Sequence, residues 1–410
     1  MYQLIGGLIG YISNTGTTEA TKIKSCYAEN CDFKASQEAS GTIGASKASN
    51  AVFEDLFYYN CTIDGTTDSG VAGTEITTEA ELTDGTVVAN LNNASKGTMK
   101  NWKQGTSSPI LNSNCNGTTE AKILCYNIFY MIQNDTYPIE NRRGKVVEYL
   151  KKYVNQGVGV MALQEVKVDV WYSHIKQFVD ETGWTWSGYG RYGGTFAGYP
   201  IGATEAGDSF NLIVYNPNKY IKVDEGHFWL SDTPEIKSAF YTVASNYRVM
   251  NWVKLRDRET GEEFVFADIH LEETKTTAQK NPWGYTIDSA SATECRNKQA
   301  NLIAEQLQKA AGDAAIIQAG DYNAGTGKDA YNTTLENGYQ CVRNFAHVAD
   351  THGGYNAWNR EIEKFAKGDH VFTSPLCTSD MYDVRAEDDI DIDTGYRISD
   401  HCAIYTTIQY

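Results

Sequence analysis

The chain has 410 residues, of which 35 are basic and 52 acidic, with a formal charge of −17 and 41% apolar content. At about 100 to 200 residues per domain it is too long for one typical domain. The acidity runs through the chain and no basic block stands out, which excludes the electrostatic footprint of tight, non-specific duplex binding. Hydrolysis of a phosphodiester is not excluded, because a divalent cation can carry positive charge into a site. No run of about 18 apolar residues marks a membrane-spanning helix.

Residues 1–118 contain no Arg and are dense in Gly, Ser, Thr, Ala and Asn. Asn30-Cys31-Asp32-Phe33 returns as Asn60-Cys61-Thr62-Ile63, and Gly6-Gly7-Leu8-Ile9-Gly10 is echoed by Ser40-Gly41-Thr42-Ile43-Gly44. A period of roughly 30 to 35 residues with short apolar alternations between Gly/Ser/Thr turns predicts a small β-solenoid. Cys31 and Cys61 would face inward on neighbouring coils. Glu79 to Asn92, followed by Trp102-Lys103-Gln104, predicts a helical cap on the open end. Gly7-Leu8-Ile9-Gly10-Tyr11 resembles the Gly-Leu-Val/Ile-Gly repeats of bacterial surface proteins, and that resemblance implies association with a cell surface or extracellular matrix. Met1 to Gly7 lacks the charged segment and apolar core of a signal peptide. It reads as the interior of a longer chain, so a secreted or cell-surface place is expected with the leader outside this sequence. Nine cysteines leave at least one unpaired, and Cys125, Cys377 and Cys402, in or beside apolar runs, are expected to be small core residues.

From residue 119 to residue 410 the pattern changes to strands alternating with helices. Ala121 to Phe129 and Val158 to Leu163 read as strands around an amphipathic helix at Arg142 to Gln156, where Val146, Val147, Leu150 and Val154 have helical spacing. Further helices are predicted at Trp171 to Thr182 and Cys295 to Ala310. Strands are predicted at Asn211 to Tyr215, Arg248 to Leu255, Glu263 to His270, Ala314 to Ala319, His370 to Ser374 and Ala403 to Gln409. Helices between clusters of strands fit an α/β architecture with two packed sheets and helices outside.

Polar residues punctuate these strands. Glu165 ends an apolar run where a carboxylate can sit at a sheet rim, and with Asn127 from the neighbouring strand it forms a first pair of oxygen donors for a hard divalent ion. Asp321 and Asn323 are two apart and face the same side of an extended segment, a carboxylate beside an amide, as positioning a water and an anionic oxygen requires. Gly320 would let the backbone approach closely. Asp369 and His401 are expected to pair, the carboxylate fixing the imidazole tautomer. His270 offers a second imidazole to a phosphate and Asp400 a carboxylate near the metal. His370, next to Asp369, points the opposite way and is read as structural. The alternation Asp388-Asp389-Ile390-Asp391-Ile392-Asp393 lacks the spaced Gly of a calcium loop and is expected to be a solvated loop or edge strand.

In order and local context, Asn127, Gln164-Glu165, His270, Gly320-Asp321-Tyr322-Asn323, Asp369 and Ser399-Asp400-His401 resemble the endonuclease/exonuclease/phosphatase superfamily over residues 120–410. The resemblance implies a four-layered α/β sandwich of two mostly antiparallel sheets with outer helices, and magnesium-dependent hydrolysis of phosphate esters, with manganese as a substitute. It implies metal binding by Glu165, Asn127 and Asp400, water activation by Asp321, phosphate contacts from Asn323 and His270, and proton handling by Asp369 and His401. The segment Gly226-His227-Phe228-Trp229-Leu230-Ser231-Asp232-Thr233-Pro234 is similar to a bacterial subgroup with a Gly-x-Phe-Trp-Leu-Ser-x-Thr-Pro stretch. There Arg191, Asn211 and Arg248 become candidate substrate or metal-shell contacts, and Trp229 is read as a packed aromatic. The Trp-Cys-Asp-Arg signature of inositol polyphosphate phosphatases is absent. The expected reaction is phosphodiester hydrolysis, with nucleic acid entering only as a substrate. The alternatives are a phosphomonoesterase on a sugar, inositol or lipid phosphate, and a surface adhesin or binding module without catalysis.

Overall fold

The computed structural model describes residues 119–129, 137–196, 209–359, 361–375 and 377–410. From the preceding part it describes 22–29, 32–33, 52–59, 62–63, 66–67, 74–75, 77–94, 102–104 and 109–111. The chain divides into two compact units, Met1–Asn112 and Ser113–Tyr410.

In the first unit Lys22–Glu29 and Val52–Tyr59 pair in parallel, Lys22 with Val52 and Glu29 with Tyr59, and Thr74–Glu75 joins beyond them. Asp32–Phe33 pairs in parallel with Thr62–Ile63 at the same sequence offset. Two short helices, Glu79–Thr83 and Thr86–Ala94, bury Leu82, Val87 and Leu91 against Phe57. Asp84 opens the second of them by accepting the Thr86 N–H at 2.8 Å. Trp102–Gln104, expected in a helical cap, is instead a strand antiparallel to Pro109–Leu111. A three-residue segment can bond to a neighbouring strand where it is too short to nucleate a helix of its own. Cys31, Cys61 and the Gly-Leu-Ile-Gly segment lie outside the described residues, as does most of the expected solenoid.

The second unit is built on two mixed sheets. Its strands are β1 (Glu120–Asn127), β2 (Val160–Lys167), β3 (Thr185–Ser187), β4 (Ser209–Tyr215), β5 (Tyr220–Trp229), β6 (Val249–Asp257), β7 (Glu263–His270), β8 (Ala315–Asp321), β9 (Gln340–Cys341), β10 (Val348–Ala349), β11 (Asp369–Thr373), β12 (Thr378–Val384) and β13 (Ile404–Gln409). The first sheet has the order β3-β4-β2-β1-β13-β12-β10 and the second β5-β6-β7-β8-β11-β9. Between them lies a core containing Ile123, Cys125, Ala162, Ile213, Val253, Phe266, Ile317, Val371 and Ile404. Cys125, Cys377 and Cys402 are buried, as expected of core residues.

Alternation along β1 sends Ile123 and Cys125 to this inter-sheet core and Leu124 and Tyr126 to a second one. That second core lies under helices α1 (Ile139–Asn155) and α2 (Val168–Thr182), which bury Val146, Leu150, Trp171, Ile175 and Phe178. Each side chain of that size contributes roughly 1.5–3 kcal/mol over its exposed state. Gly183, with φ +71°, closes α2 by donating its N–H to Val179 O. On the far side α3 (Ser289–Ala311) begins at Ser289 rather than Cys295, because Asp288 caps it by accepting the Ser291 N–H. That first turn carries only small residues, so apolar periodicity misses it. Helix, sheet, sheet and helix make the four-layered sandwich. β5 is an edge strand with Lys222, Asp224 and Glu225 exposed, a composition that hides it from a search for alternation and that suits an unpaired edge.

Candidate active site

The polar residues collect at one rim of the two sheets. In the second sheet His270, Asp321 and Asp369 sit opposite one another in a single row across β7, β8 and β11. Each continues the parity of the inter-sheet core residues Phe266, Ile317 and Val371, so period 2 alone aims all three into the gap between the sheets. In the first sheet Asn127 pairs with Gln164 at the ends of β1 and β2. Gln164 donates to Asp268 Oδ1 at 2.7 Å across the gap.

Glu165 should by parity face the helices. A β-bulge between Leu163 and Val166, with Glu165 at φ +61°, turns it to the rim instead. There Asn127 Nδ2 lies 3.3 Å from Glu165 Oε1 and 3.3 Å from Asp321 Oδ2. Among the described residues five non-glycine residues have left-handed φ: Phe129, Glu165, Asn323, Ala357 and Trp358. All lie at this rim, where strain of about 1–3 kcal/mol per residue is held by the surrounding bonds.

Asp369 brackets the imidazole of His401, both carboxylate oxygens lying 3.0 Å from Nδ1. The other nitrogen, Nε2, lies 3.7 Å from Asp321 Oδ2 and 4.0 Å from Asp400 Oδ1. Ser399 fixes the approach, its hydroxyl donating to Asn127 O at 2.7 Å while it accepts the His401 N–H at 3.3 Å. Two glycines make room. A Cβ on Gly354 would come within 2.4 Å of Asp369 Oδ2, and one on Gly320 within 1.9 Å of Ile269 O. Asn323 holds Asp321 through its backbone N–H, 2.8 Å from Oδ1, and spends its side-chain N–H on Leu271 O at 3.2 Å. His270 Nε2 stands 3.7 Å from Asp321 Oδ2.

Charge in this cluster is unbalanced. Burial raises Asp321, and Asp369 raises it further. Burial, with Glu165, Asp321 and Asp369, lifts Asp400 to about 7. Burial opposes charge on His401, but Asp369 and Asp400 override it and hold the imidazolium well above its ordinary range. His270 is pushed the other way, by burial and then by Arg248, His401 and Arg191, and stays neutral.

Asp321, Asp369 and His401 each bring a ligand atom within 4.8 Å of one another. Asp400 Oδ1 is buried with no hydrogen-bond partner, which is costly unless a cation meets it. Clustered carboxylate oxygens that raise one another's pKa and leave one oxygen orphaned fit a hard divalent cation. Glu165 and Asp400 have the right donors. Asn127 turns its amide nitrogen inward, because its Oδ1 accepts the Phe129 N–H at 3.1 Å. As placed it orients the two carboxylates, and offering oxygen to a cation needs the amide turned over.

The expected outer residues separate. Arg248 is buried and both it and Arg191 lie within the field of His270. Trp229, buried as expected, donates Nε1–H to Arg191 O at 2.9 Å and so fixes that arginine's backbone. Asn211, expected at the substrate, is spent between the sheets: its amide donates to Val249 O at 3.0 Å and Asp268 O at 3.4 Å. It braces the strands that carry Arg248 and His270. His370 faces away, with Nε2 2.8 Å from Ala324 O and aromatic rings around it.

The sequence left two contributors unread. Tyr355 sets its ring centroid 4.9 Å from that of His401, the two planes tilted by 55°. Arg142 is fully buried, donating to Ile398 O at 2.8 Å and Phe129 O at 3.2 Å behind the rim. Neither carries a sequence signal, since Tyr355 is in a loop and Arg142 looks like an exposed helix residue.

No protein-family model matches the sequence, and no curated protein does. Solved structures do match. An endonuclease/exonuclease/phosphatase from Bacteroides vulgatus has a TM-score of 0.58 at 21% identity, covering 71% of this chain and 99% of that one. A mannosyl-6-phosphatase from Bacteroides thetaiotaomicron has a TM-score of 0.56 at 19% identity, covering 71% and 100%. An endonuclease/exonuclease/phosphatase family protein from the same organism scores 0.56 at 19% identity, covering 71% and 95%. The fold of this chain is therefore that of the endonuclease/exonuclease/phosphatase proteins.

Proposed function

We propose that the protein is a divalent-metal-dependent hydrolase of phosphate esters, acting on phosphodiesters. The observation that carries this reading is the row His270, Asp321, Asp369 with His401 and the orphaned Asp400 oxygen facing it. Magnesium, or manganese in its place, would be held by Glu165 and Asp400 with Asn127 beside them. When bound, such an ion neutralises phosphate charge and lowers the pKa of water. Asp321, held by Asn323 N–H and the Asn127 amide, orients the attacking water and accepts its proton. His401, kept protonated by Asp369, stabilises the negative charge that develops on the phosphate oxygens. Neutral His270, which feels the charges of Arg248 and Arg191, takes the opposite side of the phosphate.

Those two arginines favour a second reading. A phosphomonoester carries an additional negative charge, and two guanidinium groups beside His270 would suit it. The mannosyl-6-phosphatase of similar fold is in keeping with this alternative. Comparing p-nitrophenyl phosphate with its bis-ester, with and without magnesium or manganese, separates the two. In either case Glu165→Gln and His401→Ala should each lower kcat by about 10²–10⁴-fold in a folded protein. Near-native turnover by both variants would sink the assignment. Absence of turnover by the native protein on any ester would return the chain to the class of binding modules. Export and surface association, expected from the repeats, are carried here as a proposal that cell fractionation tests.

A further inference from the structure

The segments that carry the site residues also bear aromatic rings that the proposed chemistry does not use: Tyr355 beside His401, and the pair Phe129 and Trp358. Tyr355 is 38% exposed although its neighbour His401 is only 5% exposed, and its phenol feels Asp400, Asp321 and Glu165. Its loop is stapled to the segment that leads into His401. The Asn356 and Ala357 N–H groups both donate to Asp400 O, at 2.8 and 3.0 Å, and the Asn356 amide reaches Ser399 O at 3.2 Å. Trp358 follows, with φ +64° after Ala357 at φ +48°. Its ring meets Phe129 edge-on at 5.3 Å, and the buried Arg142 guanidinium lies 5.3 Å from one centroid and 5.4 Å from the other. Phe129 is itself left-handed at φ +56°, its N–H held by Asn127.

The strain at Phe129, Ala357 and Trp358 is unneeded for core packing, because Phe129 and Trp358 are only half-buried and Ala357 is exposed, as is the nearby Tyr355. The strained backbone sets Phe129 two residues after Asn127, which holds its N–H, and Trp358 in the loop whose N–H groups bond Asp400 O. Rings fixed on both sides cannot turn away when a ligand enters, so stacking on them costs little ordering entropy. A second aromatic group, Tyr192, Tyr247 and Trp283, flanks the arginines, but none of its members touches His401.

We infer that Phe129, Tyr355 and Trp358 form the subsite for the group esterified to the phosphate, and that this group presents a ring, of a sugar or a nucleoside, to them. The inference rests on the phosphoesterase reading and deepens it. Tyr355 and Trp358 are then the specificity-determining residues.

The test measures inhibition of the native protein's ester hydrolysis by phenylphosphonate and by methylphosphonate, which share the anion and differ in the ring. The native protein should bind the phenyl compound about tenfold more tightly, as a stacked ring is worth roughly that factor or more. The preference should collapse in Tyr355→Ala and return in Tyr355→Phe, a pattern that general loss of folding cannot produce. Quenching of tryptophan fluorescence by phenylphosphonate, lost in Trp358→Phe, reads the same contact without turnover. Absent hydrolysis with quenching intact would overturn the phosphoesterase reading and keep the subsite. Hydrolysis with no phenyl preference would do the reverse. Among competitors, a hexose phosphate or a nucleoside monophosphate that outcompetes glycerol phosphate identifies the ring, and neither doing so overturns the proposal.

Discussion

Two acidic clusters lie back to back on one strand. Asn127 of β1 reaches Asp321 in the gap between the sheets, while the preceding residue, Tyr126, donates its hydroxyl at 2.6 Å to Asp389 on the opposite face. The stretch around Asp389 was expected to be a solvated loop or edge strand, and it is solvated only in part, at Ile392 and Asp393. Asp389 and Asp391 are buried, Tyr137 donates to Asp391 at 2.6 Å, and Lys145 lies 3.4 Å from Asp391 and 2.7 Å from Asp393. Lys152 is 2.8 Å from Asp388, which Arg385 also pairs. Against the upward push of burial these partners hold Asp388 and Asp391 below the ordinary carboxylate range, Asp391 at about 2. In the candidate active site Asp321 and Asp400 shift upward, because burial raises them and neighbouring carboxylates raise them further. One cluster sets lysines and arginines against Asp388, Asp391 and Asp393 and so has a structural role, although burial raises its Asp389, which Arg397 meets only at 3.9 Å. The other leaves its charge for something from outside to meet.

Magnesium titration is the sharpest way to break this contrast. At a hundredfold excess over its dissociation constant the ion should stabilise the native protein by about 2.7 kcal/mol, read as a rise in Tm. Asp400→Asn should abolish that rise and, in metal-free buffer, should be more stable than the native protein, since it removes a repelled carboxylate. Lys145→Ala should keep the full magnesium response. Equal magnesium responses in Asp400→Asn and the native protein would erase the distinction between the clusters.

A smaller effect is expected on the balanced side. Tyr126→Phe removes the hydroxyl donor to a buried carboxylate and should cost about 1–3 kcal/mol in denaturant unfolding, with the magnesium response unchanged. The smallest is a pH effect. Asp391 falls from its ordinary 3.8 to about 2 in the folded protein, so its contribution is fully present above pH 4 and is lost as pH falls through 2. The loss of stability between pH 4 and 2 should be shallower in Asp391→Asn. An identical slope in that variant would mean that Lys145 and Tyr137 do not hold the carboxylate as the structure places them.

Much of this site was legible beforehand for a simple reason. Asp321, Asp369 and His270 stand at strand ends next to apolar runs, and the two-residue period assigns each a face with no knowledge of its neighbours. His370 was set aside by the same rule and indeed faces away. Glu165 was read as a rim residue paired with Asn127, and the two stand 3.3 Å apart, but the bulge that brings them together breaks the period and has no marker in Leu163-Gln164-Glu165-Val166. Asn211 donates its amide N–H groups to two carbonyls, a bracing that sequence does not show, because an amide on a buried strand looks the same whether it meets a substrate or a neighbouring strand. Tyr355 and Trp358 went unread because loops have no period.

Alternation, helical spacing and end residues are properties of neighbours along the chain, so composition and order alone specified the layers, the faces of the strands and the polar character of the rim. Charge balance is different in kind. Whether an aspartate is held down by a lysine or pushed up by another carboxylate depends on partners far away in sequence, Lys145 for Asp391 and Asp321 for Asp400. Folding alone brings those partners within a few ångströms, where burial strips away the water that would otherwise screen them. That is why identical residue types became a structural brace on one face of β1 and a candidate cation site on the other.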